Sequence, residues 1–271
     1  MTDTALQRVA LTIEYDGSPF SGWQLQRGSD VATVQGVLEQ AVGDVADVPV
    51  RLHCAGRTDT GVHATNQVAH FDSPNTRSAD AWLMGSNANL PASVVVRRAQ
   101  IVDASFHARF SALSRRYRYL IFNNEVRSAL APQYVTWVRQ ALDVERMHEA
   151  AQALLGEQDF TSFRAAACQS STPMRHVDFI DVTRHGALIV VDIQANAFLH
   201  HMVRNIVGSL VAIGKGRREM GWISRLLALK DRTRAADTAP ASGLYLVQVG
   251  YPETCAIASA PLGPLLLGDN G

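Results

Sequence analysis

One carboxylate stands between two glycines in the run Cys54-Ala55-Gly56-Arg57-Thr58-Asp59-Thr60-Gly61-Val62-His63-Ala64, just after an apolar alternation of strand type. Glycine accepts backbone angles that other residues avoid, so Gly56 and Gly61 permit a tight loop that a substrate can approach closely. An ionised Asp59 presented on such a loop is a candidate catalytic group. Arg57, two positions earlier, could steady its charge or touch an anionic ligand. The competing reading is an Asx-turn, in which the carboxylate only accepts nearby backbone amides. Residue types alone leave both open.

Other residues could serve a ligand rather than the chemistry. Arg97, Arg98, Arg109, Arg115, Arg116 and Arg118 fall in one stretch that holds a single acid, Asp103. The stretch reads as a phosphate-binding strip or, equally, as a solvated strand face. Phe20, Trp23, Gln24 and Gln26 could form an aromatic surface edged with amides, suited to unpaired bases, although core packing of Trp23 is the plainer reading. Total charge does not point to nucleic acid, since 25 basic residues balance 25 acidic ones in the 271-residue chain. An apolar fraction of 47% with 18% charged residues is that of a soluble globular protein. No apolar run approaches the length of a membrane span. Met1-Thr2-Asp3-Thr4 lacks a basic segment leading into an apolar core, so a cytoplasmic location without a secretory signal is expected. Cys54, Cys168 and Cys255 are odd in number and far apart, which suits reduced thiols and implies neither a disulfide framework nor a metal site.

The elements that must position Asp59 follow from periodicity. Residues 9–15 alternate as a half-buried strand and end in the turn signal Asp16-Gly17-Ser18-Pro19. Helical spacing begins after Thr33, a plausible N-cap, and stops at Asp47-Val48-Pro49. Residues 50–54 read as the strand that delivers the Asp59 loop, residues 67–72 as the next strand, 79–88 as a short helix and 94–102 as a further strand. A similar plan recurs, with a strand at 117–122, an amphipathic helix at 143–155 capped by Gly156, and a hairpin of 177–182 and 188–195 split by Arg184-His185-Gly186. Residues 199–213 give the most apolar helix, with Leu199, Met202, Val203, Ile206 and Leu210 on its stripe. Arg204 lies off that stripe, either as an exposed residue or at a helix end facing a cleft. A helix at 222–229 and a strand at 244–249 follow, and Leu244 could close the floor of an apolar pocket.

The run Gly56-Arg57-Thr58-Asp59-Thr60-Gly61-Val62-His63-Ala64 resembles the signature of the tRNA pseudouridine synthase A family, whose aspartate is catalytic. The resemblance continues in family order through Glu14-Tyr15-Asp16-Gly17, Gly22-Trp23-Gln24, Asn87-Ala88-Asn89-Leu90-Pro91, Phe106-His107-Ala108-Arg109-Phe110, Arg116-Tyr117-Arg118-Tyr119, Asp159-Phe160-Thr161-Ser162-Phe163, His201-Met202-Val203-Arg204-Asn205 and Gly243-Leu244-Tyr245-Leu246. It implies an α+β pseudouridine synthase fold: two similar halves sharing a mixed, mainly antiparallel sheet with flanking helices and a central cleft. Residues 1–110 would carry the catalytic loop and residues 111–271 would complete the cleft. The sequence departs from the family at Leu25, where an arginine is common, and Arg27 could take over that contact.

What the resemblance implies for function is isomerisation of uridine to pseudouridine in the anticodon stem-loop of tRNA, at adjacent positions, with no cofactor and no metal. Arg204 becomes the ion-pair partner of Asp59, and Tyr117 stacks on the flipped uracil where strand pattern alone reads it as a sheet-face aromatic. Arg57 and Leu244 would line the substrate, Arg109, Arg115 and Arg116 would hold RNA, and the protein would be a homodimer. Asp59 could attack ribose C1′ or add to C6 of the ring, and sequence does not separate the two. Two other classes compete: an RNA-binding module in which Asp59 is structural, and a nucleoside hydrolase. The hydrolase usually needs a second acid to activate water, and the Asp59 loop holds none.

Overall fold

The computed structural model describes residues 6–26, 28, 30–258 and 261–267. Arg27 and the segment Met1-Thr2-Asp3-Thr4, read above for a secretory signal, lie outside them. The chain forms two compact units, Met1–Leu113 with Leu246–Gly271, and Ser114–Tyr245. The sequence expectation was a single break after residue 110. Instead the chain from Leu246 onward goes with the first unit, where Leu113 N–H donates to the Gly250 carbonyl at 2.8 Å and Asn66 Nδ2 to the Val247 carbonyl at 2.8 Å.

The first unit holds β1 (Gln7–Tyr15), α1 (Val34–Ala46), β2 (His53–Cys54), β3 (His63–Ser73), α2 (Ala79–Asn89) and β4 (Val94–Ile101). β1 is flanked by β3 and β4, antiparallel to both. Both faces of β1 are covered, since Ala10 and Thr12 are buried along with Val9, Leu11 and Ile13, so its alternation marks residue size rather than one wet face. α1 begins where Thr33 accepts the Gly36 N–H at 3.2 Å and ends at Asp47 in the left-handed region. The strand expected over 50–54 shortens to His53–Cys54, because the Leu52 N–H is taken by the Glu39 carboxylate of α1 at 2.9 Å rather than by a neighbouring strand. α2 docks on the sheet through Trp82, whose ring meets Phe71 edge-on at 5.1 Å. The edge strand β4 is closed by Asn87, which both donates to the Val96 carbonyl and accepts its N–H at 2.8 Å.

The second unit holds β5 (Ser114–Asn123), β6 (Thr136–Val138), α3 (Val144–Ala151), β7 (Gly156–Asp159), β8 (Met174–His185), β9 (Leu188–Ala195), α4 (Met202–Gly214) and α5 (Trp222–Leu229), and β10 (Leu244–Gly250) starts within it. The order β5-β9-β8-β7 is antiparallel throughout, and β6 runs parallel to β5. The sheets are thus mixed and mainly antiparallel, with flanking helices, as an α+β fold requires. β8 and β9 form the expected hairpin, with Gly186 at φ 59° in its tight turn. α3 is shorter than expected: its last turn tightens into a 3-10 helix over Gln152–Leu154, and Gly156 opens β7 instead of capping a helix. α4 likewise starts at Met202 and not at 199, because His201 takes a left-handed backbone at φ 62° while the Met202 N–H closes a turn onto the Leu199 carbonyl. Among the described residues no helix is long and apolar enough to cross a membrane.

One glycine of α4 shows how closely its face is met. A Cβ built on Gly208 would lie 2.1 Å from the Asp237 carbonyl oxygen. Replacing glycine with alanine in a helix interior normally stabilises by about 1 kcal/mol, whereas forcing a methyl into filled space costs about 1–3 kcal/mol. Gly208→Ala should therefore be net destabilising, and a urea denaturation midpoint at or above wild type would contradict the crowding.

Candidate functional site

The loop carrying Asp59 is held mostly by backbone. The Val62 N–H donates to the Asp59 carbonyl at 3.1 Å, with Gly61 at φ 76° in the third position, the geometry that a type II turn demands of glycine. Behind it, Gln67 of β3 donates to the Gly56 carbonyl at 2.6 Å. The Trp23 N–H donates to the Thr58 carbonyl at 3.0 Å, and Tyr15 of β1 shares a hydrogen bond with the Thr58 hydroxyl at 2.8 Å. The Gly22 and Trp23 carbonyls in turn receive the Val34 and Gln35 N–H groups at the start of α1. A Cβ on Gly17 would sit 2.0 Å from the Val62 carbonyl oxygen, and His63 accepts the Gly17 N–H at 3.1 Å. Asp59 itself is half-buried and Arg57 is exposed on the same loop.

These contacts revise the reading of the Phe20–Gln26 segment. Phe20 is 5% exposed and Trp23 is 1% exposed, with Trp23 tilted on Tyr15 at 6.0 Å. The two rings form core beneath the catalytic-loop candidate and offer no surface to a base. Tyr15, Gly17, Gly22 and Gln67 were not singled out as site residues, yet they hold the loop. Two glycines and a tyrosine in blocks with no chemistry of their own were the available signal.

In the second unit, Tyr117 on β5 is largely buried and meets Phe198 edge-on at 5.1 Å. Leu244 is buried at the start of β10, and the Gly243 before it has no room for a side chain, since a Cβ would lie 2.6 Å from the Leu120 carbonyl oxygen. Arg204 occupies the third position of α4, where the helix dipole disfavours a cation and where the helix has neither an acidic first turn nor a side-chain cap. Its Nε donates to the Ala239 carbonyl at 2.8 Å, and the Ala239 N–H returns to the Arg204 carbonyl. The Ala239 loop is pinned through Asn205, which accepts from Arg232 and Thr238 and donates to the Phe163 carbonyl at 2.7 Å. The strained His201 backbone and the misplaced cation lie within one turn of each other. Both are placements that folding alone disfavours.

The arginine-rich stretch separates into two kinds. Arg116 makes a bidentate pair with Asp192 at 2.7 and 2.8 Å, lies over the Phe179 ring at 4.8 Å, and shares Asp192 with Arg118. Arg97 pairs with Glu14 at 3.3 Å. These side chains hold strands together. Arg109 is exposed beside the Phe110 ring, and the half-buried Arg115 donates to the Asn196 carbonyl at 3.2 Å. Arg57 and Arg109 both reach the Cys54 thiol electrostatically, but burial outweighs them and pushes it up to about 12, so it stays protonated.

A family model described as tRNA pseudouridine synthase matches residues 11–111 and 150–252 of the chain. The chain is 58% identical over 263 residues to the tRNA pseudouridine synthase A of Yersinia pseudotuberculosis serotype O:1b (strain IP 31758), across 97% of this chain and 99% of that one. It is 57% identical over 262 residues to the protein of the same name from Shewanella sp. (strain MR-4), across 97% and 100%. The counterpart from Actinobacillus pleuropneumoniae serotype 3 (strain JL03) is 56% identical over 263 residues, across 97% and 100%. A solved structure, "Crystal Structure of a Cbf5-Nop10-Gar1 Complex", aligns with a TM-score of 0.38 and 12% identity over 89% of this chain and 49% of that chain, a likeness too slight to carry an argument.

One buried imidazole in the first unit sets an acid limit on its fold. His70 is buried on β3, stacks on His53 at 5.2 Å, meets His107 at 4.5 Å, and accepts the Ala108 N–H at 3.2 Å. Burial, and then the charges of His107, Arg8 and His53, push its imidazole down to about 4 from the ordinary 6.5. The unfolded chain therefore binds the extra proton first. His70 contributes fully above pH 6.5, and its contribution is lost as pH falls towards 4, by at most roughly 3 kcal/mol. Urea denaturation at pH 7 and pH 5 should show a smaller loss for His70→Gln than for wild type; an equal loss would place the acid sensitivity elsewhere.

Proposed function

The chain belongs to the tRNA pseudouridine synthase family, and on that footing we propose that it isomerises uridine to pseudouridine in tRNA, at adjacent positions of the anticodon stem-loop, with Asp59 as the covalent catalyst. The observation that carries this reading is the fixed presentation of Asp59 on a turn whose every anchor is a backbone group or a buried side chain. Such a loop places a carboxylate against a substrate without rearranging at the moment of reaction, which is the condition for effective covalent catalysis.

Pseudouridine formation breaks the bond between ribose C1′ and N1 of uracil, rotates the base, and joins C1′ to C5, whose proton is lost while N1 gains one. Nothing is added or removed, so the reaction is an isomerisation that draws on no cofactor. The target uridine must leave the helical stack at a cost of a few kcal/mol before any bond can break. Asp59 then attacks C1′ or adds to C6. Arg204 serves as the ion-pair partner that the family resemblance implies for Asp59, a role that suits a cation placed against its own helix dipole. Tyr117 stacks on the uracil, Leu244 closes the apolar floor, and Arg57 helps displace the uridine. Arg109 and Arg115 hold phosphates. Arg116, already paired with Asp192, contributes less to RNA binding than its place in the sequence suggests. A homodimer working in the cytoplasm completes the proposal and rests on the family resemblance alone.

Asp59→Asn should form no pseudouridine in a purified transcript while binding tRNA within about twofold of wild type; turnover that survives after deamidation is excluded would remove Asp59 from the chemistry. tRNA affinity should fall with salt by a slope of roughly 0.7–0.9 per phosphate contact. Arg109→Ala and Arg115→Ala should each flatten that slope by about one contact, and Arg116→Ala by less. Equal effects from all three would show that Asp192 does not occupy Arg116.

A further inference from the structure

We infer that Phe110 and His107 form a second aromatic subsite that stacks on an unpaired base of the tRNA, distinct from the uracil that reacts. The inference rests on the tRNA substrate proposed above and adds a contact to it. In the segment 106–111, Phe106 and Ala108 turn into the core, but Phe110 turns out with 76% of its surface exposed. Leaving a phenylalanine ring in water forgoes the stabilisation that burial would give. The ring is nevertheless rigidly placed. His107 accepts the Arg109 and Phe110 N–H groups at Nδ1, at 3.1 and 3.3 Å, and the Ser111 N–H donates to the His107 carbonyl at 2.9 Å. Two N–H donors on Nδ1 require that atom to be unprotonated. Burial first, and then the charges of His53 and Arg8, keep the ring neutral by lowering its affinity for a proton.

The neutral imidazole backs the outward ring. His107 lies 4.3 Å from Phe110 at 33°, with His53 5.6 Å from His107, so imidazoles back a ring that is mostly open to solvent. The surroundings select the occupant. The Arg109 guanidinium stands 5.7 Å from the Phe110 centroid, and Arg57 and Arg109 both reach the Cys54 thiol. An exposed apolar ring with a guanidinium beside it suits single-stranded nucleic acid, the ring taking a base and the guanidinium a phosphate. A protein partner would instead find one isolated ring among cations.

Binding of a tRNA transcript to the full protein tests this. Phe110→Ala should weaken affinity about tenfold, Phe110→Tyr should match wild type, and turnover at saturating tRNA should stay within about twofold of wild type for both. Because no charge is lost, the salt slope should be unchanged for Phe110→Ala, in contrast to Arg109→Ala. In a Trp137→Phe background, Phe110→Trp should gain fluorescence that tRNA quenches as it saturates. Wild-type affinity for Phe110→Ala, or a Phe110→Trp whose emission ignores bound tRNA, would overturn the subsite. So would a shift of oligomeric state in Phe110→Ala by sedimentation, since the ring would then be a contact between copies. Wild-type protein that makes no pseudouridine, with the Phe110 effects intact, would overturn the proposed reaction and leave the subsite standing.

Discussion

The Val62 carbonyl approaches Gly17 so closely that no side chain fits between them, and this contact ties the turn after β1 to the loop that carries Asp59. The remaining anchors repeat the arrangement from other directions. Gly22 and Trp23 connect the start of α1 to Thr58, and Gln67 reaches Gly56 from β3. Strand, helix and loop meet largely through backbone carbonyls and amides, with the buried Gln67 side chain as one further tie. A carboxylate on such a frame loses little further freedom when substrate arrives, so little of the binding free energy is diverted to ordering it.

Electrostatics in the molecule follows a division between cations whose ion pairs hold the fold and cations that stay exposed. Arg8 is locked to Asp72, Arg116 and Arg118 to Asp192, and Arg77 to Asp47. Together these contacts engage four arginines with three carboxylates, so cations as well as acids are tied up within the fold. Arg57 and Arg109 stay exposed, so the placement of cations, and not their sum, decides what a polyanion meets. Composition sums over both populations and reports neither.

Much of this was legible from pattern. The Thr33 cap, the β8–β9 hairpin and the α5 helix over Trp222–Leu229 follow from local chemistry, which depends only on neighbouring residues. The misreadings share a cause, which is a distant group deciding a local outcome. Glu39 took the Leu52 N–H and shortened β2. Trp23 and Phe20 carry the same letters whether they face a base or a core, and only the fold assigns them. At the site, Asp59 was visible as one acid between glycines. The ionic engagement of Arg116 was not, because Asp192 lies on a strand paired to its own from far along the chain.

The second unit is an insertion within the first: the chain leaves the first unit at Leu113 and re-enters it at Leu246, and the Leu113–Gly250 hydrogen bond closes the junction. On the ribosome, the unit that bears Asp59 is thus begun early and finished late. Its strand β3 emerges long before the residues of β10 that supply an acceptor for Asn66, whereas residues 114–245 can fold as soon as they have left the exit tunnel. Vectorial synthesis therefore completes the N-terminal unit only after the whole of the inserted one has been translated.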